Sequence, residues 1–98
     1  MSFAIPVDRL RDTDTLVAFH HPRPSHRFHV LIVPKRSIAH IAAVTPADAD
    51  FMADLVETVR SLVAEFKLDQ TAYSLLTNGG GFQDVPILHF HLIADDLA

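Results

Sequence analysis

The chain has 98 residues, of which 49% are hydrophobic and 20% are charged, and this composition predicts one globular domain over residues 1–98 with a single core. Its formal net charge of -4 argues against a nucleic-acid-binding surface, and its lack of cysteine excludes disulfides and thiolate zinc sites. Because charges interrupt every apolar run well short of the ~20 residues of a membrane span, and residues 1–6 lack a basic start and a long apolar segment, we expect no membrane segment, no signal peptide and a cytoplasmic location.

The first predicted elements form a hairpin. Residues 12–14 have turn chemistry and separate a short, weakly amphipathic piece, residues 8–11, from a run of strand formers at residues 15–20. The two prolines within residues 21–25 lack backbone donors and restrict the residues before them. That segment therefore predicts a loop.

A second strand is predicted over residues 26–33, with Phe28, Val30 and Ile32 on one face. His29 shares a face with Leu31 and Val33 in this strand, since side chains alternate across a sheet. Pro34 stops the strand. His29 is thus an imidazole on a strand that is otherwise mostly apolar.

One long helix is the surest element of the chain. Residues 37–44 are ambiguous and are compatible with a short helical turn. Thr45, Pro46 and Asp48 then give a helix start, with a capping Thr, a Pro in the first helical position and an acid in the first turn. An apolar stripe at three- and four-residue spacing predicts packing on a sheet, or partly on another subunit; its members are Phe51, Met52, Leu55, Val56, Val59, Leu62, Val63 and Phe66.

The last third of the chain carries the candidate site. Residues 67–70 end the helix, residues 72–77 predict a strand, and residues 78–81 form an Asn-Gly-Gly-Gly loop. The final predicted strand, residues 85–93, is apolar except for two imidazoles, which share one face because side chains alternate along a strand. One of its faces carries Ile87, His89, His91 and Ile93, and the other carries Leu88, Phe90 and Leu92. Glycines beside paired histidines indicate an anion site, and strands before and after one helix indicate an α+β domain with a mostly antiparallel sheet.

Three blocks of the chain resemble the histidine triad (HIT) family of nucleotide hydrolases and transferases. Residues 16–20 resemble the family's early strand, residues 29–35 its histidine-containing strand that ends in Pro-Lys, and residues 78–91 its glycine loop and triad. The resemblance implies a HIT-like fold, with a mostly antiparallel five-stranded sheet, one long helix and a short helical turn. Ile87 stands at the first triad position, so that two of the three histidines are present.

The resemblance also implies roles for individual residues. His89 falls on the middle triad position, whose histidine attacks the α-phosphate of a nucleotide and carries a covalent nucleotidyl group, and His91 falls on the third position. Both are expected to be catalytic. The residues expected to bind substrate are Asn78, Gly80, Gly81, Phe82, Gln83, Asp84, His21 and His29. Two of these depart from the family pattern, because Asp84 replaces a Ser that contacts phosphate and His21 replaces an Asp that binds ribose hydroxyls.

The chemistry of the residues is compatible with this function. A neutral imidazole is a competent nucleophile when a hydrogen bond, often to a backbone carbonyl, keeps the proton on its other nitrogen. His89 has the position for this role. The backbone N–H groups of residues 79–82, the amide of Asn78 and a protonated His91 are candidate donors to the phosphoryl oxygens.

We therefore expect a hydrolase or transferase for nucleoside phosphoramidates or dinucleoside polyphosphates, with a nucleotide as its small-molecule partner. We expect no cofactor, no resident metal and no nucleic-acid or membrane partner, and we expect a homodimer. Two alternatives stay open. One is a catalytically impaired module that binds a nucleotide or anion, and the other is a metal site formed by His89, His91 and a carboxylate or His29.

Overall fold

The computed structural model describes residues 8–97 and contains one sheet and one long helix. The sheet strands are β1 (Arg11–Asp12), β2 (Leu16–His20), β3 (Phe28–Pro34), β4 (Ser74–Thr77) and β5 (Phe90–Ala94), and the helix α1 is Ala49–Phe66. Short 3-10 turns lie at Ile41–Ala43, Pro46–Asp48, Leu68–Gln70 and Gly80–Phe82. The expectation of no leader at residues 1–6 falls outside the described residues. Within residues 8–97, no helix is long and apolar enough to cross a membrane.

The five strands pair in the order β1-β2-β3-β5-β4, and every pair is antiparallel. The predicted hairpin is confirmed by the pairing of β1 with β2, and the predicted α+β class with a five-stranded sheet is also confirmed. β5 lies between β3 and β4, and its His91 is opposite Leu31 of β3. Because opposite residues share a face, His29 and His91 lie diagonally on the same face of the sheet.

The two faces of the sheet have different roles. One face packs against α1 and forms the main core, whose buried members include Leu16, Val30, Ile32, Leu55, Leu62 and Leu92. The opposite face carries a smaller apolar cluster of Val17, Phe19 and Val33, with Leu31 packed against it. His29 and His91 lie on this second face. The helix therefore supports the sheet from behind and leaves the histidine face free.

The start and end of α1 follow the sequence signals. Thr45 and Asp48 form a capping box around the turn that begins at Pro46, and this turn leads into the helix. Lys67 adopts the left-handed conformation, with φ 55°, and ends the helix. The predicted apolar stripe is wider than the buried face of the helix, because Val56 is 57% exposed while Thr58 is buried. Val56 lies on the flank of the stripe, beyond the area that the sheet covers.

The final strand is shorter than predicted, although its alternation is confirmed. β5 begins at Phe90, because Pro86 has no backbone donor and the segment before β5 bends instead of joining the ladder. The backbone N–H of Leu88 donates to the carbonyl oxygen of Ile38 across 2.8 Å. His89 therefore sits just before the regular strand, at the point where a bent segment enters the sheet.

Candidate active site

The imidazole of His89 is oriented by its own neighbour in the chain. Its Nδ1 lies 2.8 Å from the carbonyl oxygen of Ile87, and because a carbonyl only accepts, Nδ1 carries the proton and donates it. In the neutral ring the lone pair is then on Nε2. Thr77 fixes the backbone of the same residue, since its hydroxyl donates to the carbonyl oxygen of His89 across 2.7 Å. His89 therefore presents an unprotonated Nε2, which is the nitrogen that a nucleophile needs.

A chain of hydrogen bonds fixes the tautomers of His29 and His91. The backbone N–H of Ser25 donates to Nδ1 of His29 across 3.1 Å, so that nitrogen is unprotonated. The proton of neutral His29 is then on Nε2, which lies 2.8 Å from Nδ1 of His91 and donates to it. His91 accepts at Nδ1 and keeps its own proton on Nε2. That proton is its remaining donor.

Burial keeps these imidazoles neutral near pH 7. Desolvation, followed by the neighbouring imidazoles, lowers the pKa of His29 from 6.5 to about 4. Burial also lowers the pKa of His91, with His89 and His21 adding to the effect, while the carboxylate of Asp84 opposes it. The hydrogen-bond chain and the pKa shifts agree. His91 is thus a neutral donor and not the protonated group expected from the sequence.

His89 opens onto a largely apolar cavity of 380 Å³. The cavity is lined by Phe19, His21, Pro22, Leu31, Val33, Asp84, Val85, Ile87, His89 and His91. Its walls combine the smaller apolar cluster of the sheet with the bent segment before β5. This volume suits a ring system, and the few polar groups converge beside His89.

A second cavity of 180 Å³ lies on the other side of His91. It is lined by Ser25, His26, His29, Leu76, Asn78, His91 and Ile93. Because His91 lines both cavities, its ring separates the larger, apolar one from the smaller, more polar one. Asn78 belongs to the smaller cavity.

His21 joins the imidazole cluster at the edge of the larger cavity. Its ring centroid lies 4.5 Å from that of His29, and its Nδ1 accepts the backbone N–H of Arg23 across 2.9 Å. Its proton is therefore on Nε2 in the neutral form. Burial, and then the nearby His89, lowers the pKa of His21. His21 thus offers a neutral N–H donor where the resemblance leads one to expect a carboxylate acceptor.

The glycine loop supplies fewer free donors than the sequence indicated. Gly80 has φ 58°, a conformation that favours glycine. The backbone N–H of Phe82 donates to the carbonyl oxygen of Gly79 across 3.3 Å, and this bond closes the turn. The side chain of Phe82 is 82% exposed. Neither Gly80, Gly81 nor Phe82 lines either of the two cavities.

The side chain of Gln83 contacts backbone carbonyls, whereas that of Asp84 lines the larger cavity. The amide nitrogen of Gln83 donates to the carbonyl oxygens of Ala39 and Ile87, at 2.7 and 3.1 Å. Asp84 lines the larger cavity and is exposed. The structure thus brings Asp84 close to His89 and His91, while the amide of Gln83 is directed to the backbone.

Sequence reasoning missed Ser25, Thr77 and His26 as parts of the site. His26 lines the smaller cavity and its Nδ1 lies 2.9 Å from a carboxylate oxygen of Asp95. A histidine close to His29 in the chain was the available signal for it. Ser25 acts through its backbone N–H, which no sequence pattern reveals. Among residues 8–97, no group of three or more His and acidic side chains is arranged to hold a metal ion.

Comparison with known proteins identifies relatives along nearly the whole chain. The family model for the HIT domain matches residues 2–97. An uncharacterized HIT-like protein of Helicobacter pylori is 30% identical over 94% of this chain and 88% of its own length. An adenosine 5′-monophosphoramidase of Candida albicans is 33% identical over 91% of this chain and 62% of its own length.

Solved structures agree with the sequence comparison. The crystal structure of a HIT family hydrolase from Legionella pneumophila superposes with a TM-score of 0.83 at 29% identity, covering 92% of this chain and 82% of that one. A structure described as a HIT-like protein superposes with a TM-score of 0.80 at 30% identity, covering 94% of this chain and 89% of that one. The arrangement of the sheet and the helix is therefore shared with these proteins.

Proposed function

Since this chain belongs to the HIT family, we propose that it hydrolyses or transfers the nucleotidyl group of a nucleoside phosphoramidate or dinucleoside polyphosphate. The observation that carries the proposal is the orientation of His89. Its Nδ1 proton is held by the Ile87 carbonyl, and its ring lines the larger cavity. A relative named adenosine 5′-monophosphoramidase supports the choice of phosphoramidates as first substrates.

In the proposed first step, Nε2 of His89 attacks the α-phosphorus. A P–N bond to His89 forms while the P–N bond to the leaving amine breaks, and the amine leaves with a proton taken from solvent. The Nδ1 proton stays on the ring, so the intermediate is a nucleotidyl-imidazolium. Because the Ile87 carbonyl accepts that proton, it also stabilises the positive charge that develops on the ring.

In the second step, water attacks the same phosphorus and the P–N bond to His89 breaks. The bonding electrons return to Nε2, the nucleoside monophosphate leaves, and the surplus proton of the attacking water passes to solvent. The Nε2 proton of His91 is proposed to donate to a phosphoryl oxygen in both steps. His29 supports this role because its own proton occupies Nδ1 of His91.

The two cavities suggest how a substrate divides across the site. We propose that the larger cavity takes the nucleoside, because its walls are mostly apolar and its volume suits a ring system. His21 and Asp84 lie at its polar end, where the N–H of His21 offers a donor and Asp84 an acceptor. We propose that the leaving group lies in the smaller cavity, which Asn78 lines together with His91.

We also propose that the chain forms a homodimer through the outer edge of β4. This strand ends the sheet, and Leu75 and Leu76 on it are 40% and 37% exposed. Tyr73 beside it is 45% exposed. An apolar edge strand favours pairing with another strand, because its backbone groups lack partners on one side. A second copy offers an identical edge for such pairing.

Turnover of adenosine 5′-phosphoramidate tests the proposed function. The wild type should release AMP, whereas His89→Ala should release none and still bind AMP, because a nucleophile contributes mainly in the transition state. His40→Ala, a change at an exposed histidine outside both cavities, should keep wild-type turnover. A wild type that binds AMP without turning over any phosphoramidate or dinucleoside polyphosphate would instead be a nucleotide-binding module.

A further inference from the structure

The side-chain amide of Gln83 ties two backbone segments together. Its nitrogen lies 2.7 Å from the carbonyl oxygen of Ala39 and 3.1 Å from that of Ile87. A carboxamide nitrogen has two hydrogens, so each carbonyl can receive one. Gln83 thus links the segment that follows β3 to the bent segment that precedes β5.

One of these two carbonyls is the group that orients His89. The Ile87 oxygen accepts the Nδ1 proton of His89 at 2.8 Å, and the Gln83 amide occupies its second acceptor position. Residue 87 lies outside β5, and no bond of the strand ladder holds its carbonyl. The N–H of the same peptide, that of Leu88, donates to the carbonyl oxygen of Ile38 across 2.8 Å, so this bond and the Gln83 amide together hold the peptide. Among the hydrogen bonds of the described residues, the Gln83 amide is the one that reaches the Ile87 oxygen from outside residues 87–89.

We propose that Gln83 is a positioning residue for His89. Its amide holds the Ile87 carbonyl where that oxygen keeps the proton of His89 on Nδ1, and Nε2 is thereby left free to attack phosphorus. Without the amide, this peptide keeps only its Leu88 N–H bond to Ile38, so the Ile87 oxygen can tilt away from Nδ1 of His89. The proton can then move to Nε2, where it blocks attack. The effect on rate rests on the proposed function, whereas the effect on the tautomer rests on the hydrogen bonds alone.

This role differs from the substrate contact that the resemblance implied for Gln83. Both amide hydrogens are directed at backbone carbonyls, which leaves none for a phosphate oxygen. A contact with the bound substrate would change KM, and a contact made only in the transition state would lower kcat without moving the tautomer of His89. A positioning role changes kcat and the tautomer of His89, because it acts on the readiness of the nucleophile.

The test uses Gln83→Met, which keeps the length of the side chain and removes its donors. Gln70→Met is the matched control, because Gln70 is the other glutamine of the chain and is exposed at the end of a short turn after α1. Four quantities are measured on each protein: the imidazole ¹⁵N signals of His89 near neutral pH, kcat and KM for adenosine 5′-phosphoramidate, and the melting temperature. Gln83→Glu, which replaces donors by acceptors at the same length, is the second variant if Gln83→Met does not fold.

We expect Gln83→Met to move the ¹⁵N signals of His89 toward the tautomer protonated at Nε2. Its kcat should fall about 10- to 100-fold, since a small displacement of a reacting group has an effect of that size, while KM stays within about threefold. Gln70→Met should leave the ¹⁵N signals of His89, kcat and KM unchanged.

Unchanged ¹⁵N signals of His89 in folded Gln83→Met would overturn the proposal, even with a lower kcat. A change confined to KM would overturn it as well, because it would indicate direct contact with substrate. If the wild type turns over no substrate, the proposed function fails, and the ¹⁵N signals alone then decide whether Gln83 positions His89.

Discussion

His29 donates its Nε2 proton to Nδ1 of His91 across 2.8 Å, so two imidazoles on neighbouring strands hold each other in complementary tautomers. The backbone N–H of Ser25 donates to Nδ1 of His29 and so keeps the proton of His29 on Nε2. As a result, His91 has one donor left, its Nε2 proton. The contact joins β3 to β5 on the face opposite the helix, where both cavities lie.

Replacing His29 should therefore weaken catalysis through His91. In His29→Phe, Nδ1 of His91 loses its donor, and the ring is free to carry its proton on either nitrogen. We expect kcat for adenosine 5′-phosphoramidate to fall about tenfold, a loss of ~1.4 kcal/mol in transition-state stabilisation, with little change in KM. His40→Phe, at an exposed position, is the control and should retain full activity. Equal kcat in both variants would remove His29 from the mechanism.

The low pKa of His29 also predicts how stability depends on pH. Its pKa is about 4 in the folded chain and close to 6.5 when unfolded. Between these values the unfolded state binds more protons, so the free energy of unfolding rises with pH. The contribution of His29 to that free energy is at most ~3 kcal/mol, and it is lost as pH falls from about 6.5 to 4. Burial also lowers the pKa values of His21 and His91, so these residues add to the same pH dependence.

Urea unfolding at neutral and mildly acidic pH measures this dependence. The wild type should lose more free energy of unfolding on acidification than His29→Phe, whatever the absolute stability of the variant at neutral pH. His40→Phe should keep the dependence of the wild type. Parallel losses in the wild type and His29→Phe would show that His29 does not titrate as described.

Asp84 should weaken the binding of a phosphate. Its carboxylate lines the cavity of His89 and lies near enough to His91 to oppose the lowering of that residue's pKa. Because Asp84 is exposed, its repulsion of a phosphate is partly screened. In Asp84→Ser we expect affinity for AMP to rise about fivefold at low salt and less at high salt.

Calorimetric titration with AMP at two salt concentrations measures the affinity of each protein and its dependence on salt. Asp69→Ser is the control, because Asp69 is an exposed acid in the turn after α1 and lines neither cavity. An affinity that is the same in Asp84→Ser and the wild type at low salt would mean that Asp84 does not face the phosphate.

The proposed homodimer predicts that a charge on the edge of β4 produces monomers. Leu75→Glu places a carboxylate on this edge strand, where a second copy would bring an identical charge close to it. Ile41→Glu is the control, since Ile41 is 41% exposed and lies in a turn away from β4. Light scattering at micromolar concentration should show a dimer for the wild type and Ile41→Glu and a monomer for Leu75→Glu. A monomeric wild type would end this proposal.

The sequence was sufficient to predict which residues lie on each face of the last strand. Alternation along the strand predicts that His89 and His91 lie on one face and Leu88, Phe90 and Leu92 on the other. The structure buries those three apolar residues in the core. The capping residues predicted the start of the helix for the same reason, since both signals depend on neighbours in the chain. Local patterns of this kind do not need the tertiary structure.

The contacts that define the site could not be predicted in this way. The pairing of His29 with His91 depends on the register of β3 against β5, which the sequence does not encode locally. The neutral state of His91 depends on its burial in the folded chain. The direction of the Gln83 amide depends on where the segment around Ala39 passes, and that is set by the fold as a whole.

Detection of a nucleotide covalently bound to His89 tests the proposed reaction directly. The wild type is mixed with adenosine 5′-phosphoramidate, quenched in base during turnover to preserve an acid-labile P–N bond, and mapped by mass spectrometry. We expect an adenylyl group on His89 and on no other residue, with none in His89→Ala. Steady turnover without an adduct, or an adduct on His91 instead, would contradict it.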